Sequence, residues 1–192
     1  MKNIAVFVSG SGSDMQSIID NCENGNINGN VVCVVSNKSG IFALERAKKH
    51  NIPSKVFEQK TFGDIIERDN AIVEYLAPYN IELIVLAGYL SIVTSVIINK
   101  YPNKIVNIHP ALIPKFCGKG MYGMRVHEAV IAAGEKESGA TVHYVDEGAD
   151  TGKIIAQEKV KILENDSAES LQKRVLELEH KLLPQVVAKL CE

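Results

Sequence analysis

IAVFVSGSGSDMQSII, residues 4–19, sets a short apolar run before a serine-glycine turn and follows the turn with a helix-patterned segment. A strand that is almost wholly apolar, instead of alternating, is one covered on both faces, as in a parallel sheet held between helices. ELIVLA, 82–87, reads the same way, so these two runs are expected at the centre of the sheet. Outward from them lie VVCVVS at 31–36, SKVFE at 54–58 and KIVNI at 104–108, separated by helical patterns. Helices are expected at 14–23, 41–50, 63–78, 91–99 and 122–133; the third carries Ile65, Ile66, Asp69, Ile72, Val73 and Leu76 at near-helical spacing. Alternation of this kind builds βαβ units.

From Gly139 the pattern changes. ATVHYV, 140–145, and KIIAQEKVKI, 153–162, are strand-like runs joined by DEGADTG, which reads as a hairpin added to the sheet edge. Ser167 to Leu190 reads as a long amphipathic helix, opened by a Ser-x-x-Ser cap region and notched by Pro184. The expected fold class is α/β: an open, mostly parallel, Rossmann-like sheet with flanking helices, a C-terminal hairpin at the sheet edge and a long C-terminal helix. Residues 1–192 are expected to form a single domain.

Composition narrows the function. The chain is 46% hydrophobic and 23% charged, with 21 Lys and Arg against 23 Asp and Glu, so it lacks the broad basic surface that nucleic-acid binding requires. Any anionic partner must be met locally. Cys22, Cys33, Cys117 and Cys191 form no Cys-x-x-Cys pair, and no secretory pattern opens the chain, which fits a reducing cytoplasm. The longest uncharged run, Leu83 to Asn99, falls short of the roughly 20 apolar residues of a membrane span.

Three places can carry chemistry. In VSGSGSDMQSII, 8–19, Gly10 and Gly12 permit a tight turn, Ser11 and Ser13 add hydroxyl donors, and the helix that follows points its N-terminus at one spot, which suits a phosphate. A dinucleotide fingerprint would want a third glycine where Met15 stands and an acidic residue near Ser36 and Asn37, so a single phosphate is favoured over NAD. No Gly-Lys-Ser/Thr follows, which removes the P-loop reading. In IVNIHPALIPKF, 105–116, a strand delivers Asn107 and His109 toward the carboxyl edge, where open α/β sheets bind ligands. Their side chains point to the same side, so an amide donor and an imidazole can face one oxyanion, and the imidazole can move a proton near neutral pH. In the hairpin, Asp150 before Gly152 can present a carboxylate to His109, whereas Asp146 and Glu147 read as solvated turn residues. His143 reads as a structural strand residue, His127 as a cleft-lining helper after the GKGMYG loop, and His50 and His180 as helix residues without function.

Taken together, VSGSGSDMQSII, IVNIHPALIPKFCGKG and GATVHYVDEGADTGKII resemble the folate-dependent glycinamide ribonucleotide formyltransferases over essentially the whole chain. The resemblance implies transfer of a formyl group from 10-formyltetrahydrofolate, as co-substrate, to the amino group of glycinamide ribonucleotide in purine biosynthesis, without a metal. It assigns Asn107, His109 and Asp150 as the catalytic trio. Ser11, Gly12, Ser13 and Asp14 would hold the ribonucleotide phosphate, and Glu179 would contact the ribonucleotide. Arg68, Leu86, Tyr89, Leu90, Ser91, Ile92, Val93, Val145 and Asp146 would line the folate site. The partners implied are small molecules, with no nucleic acid and no membrane, in a monomer or homodimer. Asp14 stands where the family usually carries Asn, Ala111 where it carries Ser, and Ser91 where some members carry Arg; Asp14 is expected to offer only its backbone N–H, its carboxylate turned away to cap the helix. Alternatives are a formyltetrahydrofolate hydrolase, which would carry an N-terminal regulatory domain, a methionyl-tRNA formyltransferase, which would need a further domain and a basic surface, and a sugar-nucleotide or other amine formyltransferase. From outside the class, a non-catalytic nucleotide-binding module would keep the phosphate loop and have no need for the trio to converge.

Overall fold

β1 (Lys2–Val8) is apolar on both faces and pairs in parallel with β2 (Gly29–Ser36) on one side and β4 (Leu83–Leu86) on the other. The computed structural model describes residues 1–192. The short β3 (Ser54–Val56) edges the sheet beyond β2, and β5 (Ile105–His109) extends the parallel set beyond β4. β6 (Glu137–Tyr144) runs antiparallel to β5, and β7 (Ile154–Lys161) closes the sheet antiparallel to β6, giving the order β3-β2-β1-β4-β5-β6-β7. The two continuously apolar runs therefore sit at the centre, as their composition predicts.

Six helices flank the sheet: α1 (Ser13–Glu23), α2 (Phe42–Lys49), α3 (Ile65–Leu76), α4 (Ser95–Lys100), α5 (Met124–Ala132) and α6 (Ala168–Leu190). Strand alternation sorts the core into two. Ile4, Val6, Val8, Leu83, Val85, Val106 and Ile108 enter the larger core with the buried sides of α1 and α6, while Ala5, Phe7, Ile84, Leu86 and Ile105 enter the smaller one with Ile72, Leu76 and Ile97 from α3 and α4. Asn107 and His109 share the parity of Ile105. They therefore leave the sheet on the face of the smaller core, which ends before reaching them.

Local chemistry explains where the elements start. Asp64 caps α3 by accepting from the Glu67 N–H at 2.8 Å, so the helix begins at 65 and not at 63, and Pro78 ends it in a 3₁₀ turn. The helix expected at 91–99 begins only at Ser95, because Thr94 is extended and accepts from Val96 N while Asp69 accepts the Thr94 N–H. β3 stops at Val56 instead of 58, and β6 starts at Glu137 instead of 140: its Glu-Ser-Gly opening has weak strand propensity but pairs fully with β7. Ser167 and Ser170 form a reciprocal capping box at the start of α6. Pro184 lacks the N–H that would reach the His180 carbonyl, yet α6 runs through it unbroken to Leu190. No helix is long and apolar enough to cross a membrane.

Candidate active site

The β5 and β6 register sets Asn107 opposite His143 and His109 opposite Thr141 on the uncovered face. Asp150, held in the left-handed region at φ 59°, comes down on this group from the loop between β6 and β7. Its Oδ2 accepts the Gly118 N–H at 2.9 Å and lies 3.6 Å from His109 Nδ1. Its Oδ1 lies 3.5 Å from His143 Nε2 and accepts from Asn107 Nδ2 at 3.4 Å. Three separated stretches thus meet at one carboxylate. Gly152 makes this possible: a Cβ there would stand 1.7 Å from the Tyr144 carbonyl oxygen.

Protonation follows from the partners. His143 Nδ1 is 2.8 Å from the Tyr144 carbonyl, which can only accept, so Nδ1 carries a proton and, in a neutral ring, Nε2 accepts the Asn107 amide at 3.1 Å. His109 Nε2 faces the Phe116 carbonyl at 2.8 Å, and its Nδ1 faces Asp150. With an acceptor at each nitrogen the ring has a partner for both protons when it is imidazolium. Burial, the largest influence, leaves the His109 pKa below the ordinary imidazole value although the Phe116 carbonyl and the Asp150 charge raise it, and His143 lowers it further. Asp150 is itself pushed up by partial burial but held below the ordinary carboxylate value by His143 beside it, by the Gly118 N–H and by the His109 charge. His127 is buried on α5 with Nδ1 unpartnered and its pKa lowered to about 4 by burial and by His109. It is neutral at pH 7.

At the carboxyl end of β1, on the same edge of the parallel sheet as His109, the turn residues lie as their sequence suggests. Gly12 adopts φ 71° as the N-cap of α1 and supplies no side chain, so the first-turn N–H groups remain available to an acceptor. A Cβ on Gly12 would lie 2.6 Å from Ala43 Cβ, so α2 packs directly on the turn. Arg46 donates Nε to the Ser11 carbonyl at 3.0 Å. The Asp14 carboxylate does not cap α1, contrary to expectation; it is buried in the α1 and α6 interface, where Glu179 and His180 lie. His180, read from sequence as without function, thus borders this cluster.

The third region is the segment after β4. Leu86, Tyr89 and Val93 are buried, Ser91 is half-buried, and Leu90 and Ile92 are 48% and 73% exposed. Tyr89 packs edge-on against Phe7 at 5.3 Å. Arg68, expected near a ligand, is 1% exposed and spent inside the protein: it donates to Asp69, to Ser91 Oγ and to the Ile92 carbonyl. Its role here is to hold the 91–92 backbone in shape. Val145 packs on the smaller core, and Asp146 is exposed, accepting from Gly148 N and Thr151 Oγ1 as a turn residue does. No group of three or more His, Cys, Asp or Glu side chains is disposed to hold a metal ion.

Sequence reasoning missed His143 and the Phe116 carbonyl. His143 shows itself only through its register with Asn107, and a carbonyl carries no side-chain signal at all.

Comparison with known proteins places the chain in a family. Residues 2–187 match the family model described as formyl transferase. The chain is 43% identical over 187 residues to the phosphoribosylglycinamide formyltransferase of Haemophilus influenzae, covering 97% of this chain and 86% of that protein. It is also 43% identical over 193 residues to the chloroplastic phosphoribosylglycinamide formyltransferase of Arabidopsis thaliana, of whose length it spans 66%. The crystal structure of glycinamide ribonucleotide transformylase 1 from Geobacillus kaustophilus superposes with a TM-score of 0.94 at 38% identity, each chain covered in full. The chain belongs to the formyl transferase family, with phosphoribosylglycinamide formyltransferases as its close relatives.

Proposed function

We propose that the protein transfers a formyl group from 10-formyltetrahydrofolate to the amino group of glycinamide ribonucleotide, with Asn107, His109 and Asp150 as its catalytic residues. The observation that carries the reading is the meeting of Asn107 and His109 with Asp150 on a sheet face that no helix of the smaller core covers. The ribonucleotide phosphate sits on the Ser11 to Asp14 turn, and its ribose lies toward Glu179. The folate lies between residues 86–93 and the loop that carries Val145 and Asp146, with Arg68 supporting that wall from behind.

The amine attacks the formyl carbon and the carbonyl oxygen becomes an oxyanion. The Asn107 Nδ2 hydrogen that spans 3.4 Å to Asp150 turns to it and the His109 imidazolium donates to it, each such donor being worth about 2.7–4 kcal/mol in comparable sites. As the tetrahedral intermediate collapses, the new amide loses a proton and the folate nitrogen gains one, with His109 relaying it under the hold of Asp150. His109 Nε2 is engaged by the Phe116 carbonyl, so a substrate oxygen takes the place of that carbonyl, and the segment that gives way runs from Phe116 into Gly118 and Gly120, all three at positive φ. Orientation of two bound reactants supplies the largest share of the rate, about 7–11 kcal/mol where geometry is good.

The test is absorbance-monitored formyl transfer with both substrates, beside His109→Ala. Turnover that needs both substrates and collapses in the variant supports the reading. Folate consumption without the ribonucleotide would point to a hydrolase, and ligand binding with no turnover would point to a non-catalytic module.

A further inference from the structure

Asp14, in the first turn of α1, is 9% exposed, and Glu179 of α6 is 7% exposed. The two helices pack against each other, and neither carboxyl has a Lys or Arg partner. Asp14 Oδ1 has no hydrogen-bond partner, and neither does His180 Nε2, which stands 3.7 Å away, beyond bonding distance. Arg46 of α2, whose charge is felt at His180, is committed to the Ser11 carbonyl and to Gln16 Oε1. His180 is a weakened base, through burial first and Arg46 second, with Glu177 opposing. His50 is taken up by Glu23 and Gln16. Two buried carboxyls without a cation cannot both ionise.

Resting on the ribonucleotide reading above, we propose that Asp14 and Glu179 hold one proton between them and that a phosphorylated ribose binds this singly protonated pair, taking up a proton wherever the pair has lost it. The chemistry is one of donors. A protonated carboxyl offers an O–H to an anionic or hydroxyl oxygen, whereas two carboxylates offer a phosphate only repulsion. Burial raises Asp14 to about 7, and burial together with the Asp14 charge raises Glu179 well above its ordinary value. This supports a pair that is singly protonated near neutrality. An Asn at position 14 would bind without any such proton, so the Asp makes ribonucleotide affinity pH-dependent.

Ribose 5-phosphate is the probe, because its phosphate, with a second pKa of about 6, is almost wholly dianionic from about pH 7 and it has no amine to confuse the profile. Its dissociation constant is measured by chemical-shift titration from about pH 7 upward, with calorimetry in buffers of different ionisation enthalpy to count protons. The expected result is a dissociation constant rising about tenfold per pH unit above the pair's titration, with proton uptake, and a flat profile in Asp14→Asn. A flat wild-type profile, a slope that survives Asp14→Asn, or a slope lost in His180→Gln overturns the proposal. Infrared spectroscopy of the ligand-free protein gives a second reading: the C=O band of a buried protonated carboxyl is expected at neutral pH and lost on raising the pH, and its absence overturns the pair. Formyl transfer proceeding alongside a flat profile sinks the pair alone. A sloping profile without formyl transfer sinks the catalytic reading alone.

Discussion

Asp150→Asn keeps the shape of the side chain, including an oxygen to accept the Gly118 N–H, and removes its charge. The carboxylate stands 3.6 Å from His109 Nδ1, and at an effective dielectric constant of 20 the attraction for an imidazolium is about 4.6 kcal/mol. The Asp150 side chain is 17% exposed, so water reduces this to about 1.4–2.8 kcal/mol, or one to two pKa units on His109. The sign is downward: burial already lowers the His109 pKa, and Asp150 is one of the two groups holding it up. At pH 7 the imidazolium fraction should therefore fall by about 10- to 100-fold, and kcat with it. The assay is the pH profile of formyl transfer for the wild type and Asp150→Asn, plotted as their ratio, which cancels the titration of the substrate amine. The ratio should be level above the wild-type His109 pKa, itself below the ordinary imidazole value, and shrink by about tenfold per unit below it, toward the displaced pKa of the variant. A ratio constant across pH would show that Asp150 does not act through the charge on His109, and a ratio of one would remove it from the mechanism.

His143→Ala removes the acceptor that aligns the Asn107 amide; a loss of about 1–1.5 kcal/mol, or roughly tenfold in kcat with KM little changed, is expected in steady-state kinetics. Arg68→Met leaves Asp69 buried without its partner and should cost about 3–5 kcal/mol in chemical denaturation, whereas a loss below about 1 kcal/mol would mean that the 91–94 segment is held by other contacts. Because the Asp14 pKa is raised on folding from 3.8 to about 7, its ionisation costs stability as pH climbs through that interval; Asp14→Asn should stabilise the ligand-free protein by about 2–4 kcal/mol more at pH 8 than at pH 4, read from denaturation midpoints.

The strand centres and the helix faces were legible because the apolar patterns of residues 4–8 and 83–86 have no other stable use than burial on both sides. Asn107 and His109 were legible as a pair because strand period alone puts them on one face. The burial of Arg68 behind the 91–92 segment was not legible, because a cation in the sequence carries no label for its partner, and Asp69, adjacent in the chain, takes it into the interior. Asp14 reads naturally as a cap, since acidic residues favour first turns, but Gly12 had already taken the N-cap and α6 covers the carboxylate.

The hairpin shows best what sequence leaves out. Because β6 is antiparallel, its end at Tyr144 pairs with Val106, near the start of β5, so the chain leaves β6 at the opposite end of the sheet from His109. A tight two-residue turn there would strand Asp150 far from the imidazole. Residues 145–153 are long enough instead to fold back along the uncovered face, and the two constraints on that path are visible: Asp150 must accept φ 59°, and position 152 must lack a Cβ. The loop is thus a wall of the site as well as a connection, and its carboxylate reaches Asn107, His109 and His143 only because the face beneath it was left without a helix. Lengthening α4 or shortening this loop would leave every catalytic side chain in the sequence and dismantle the site.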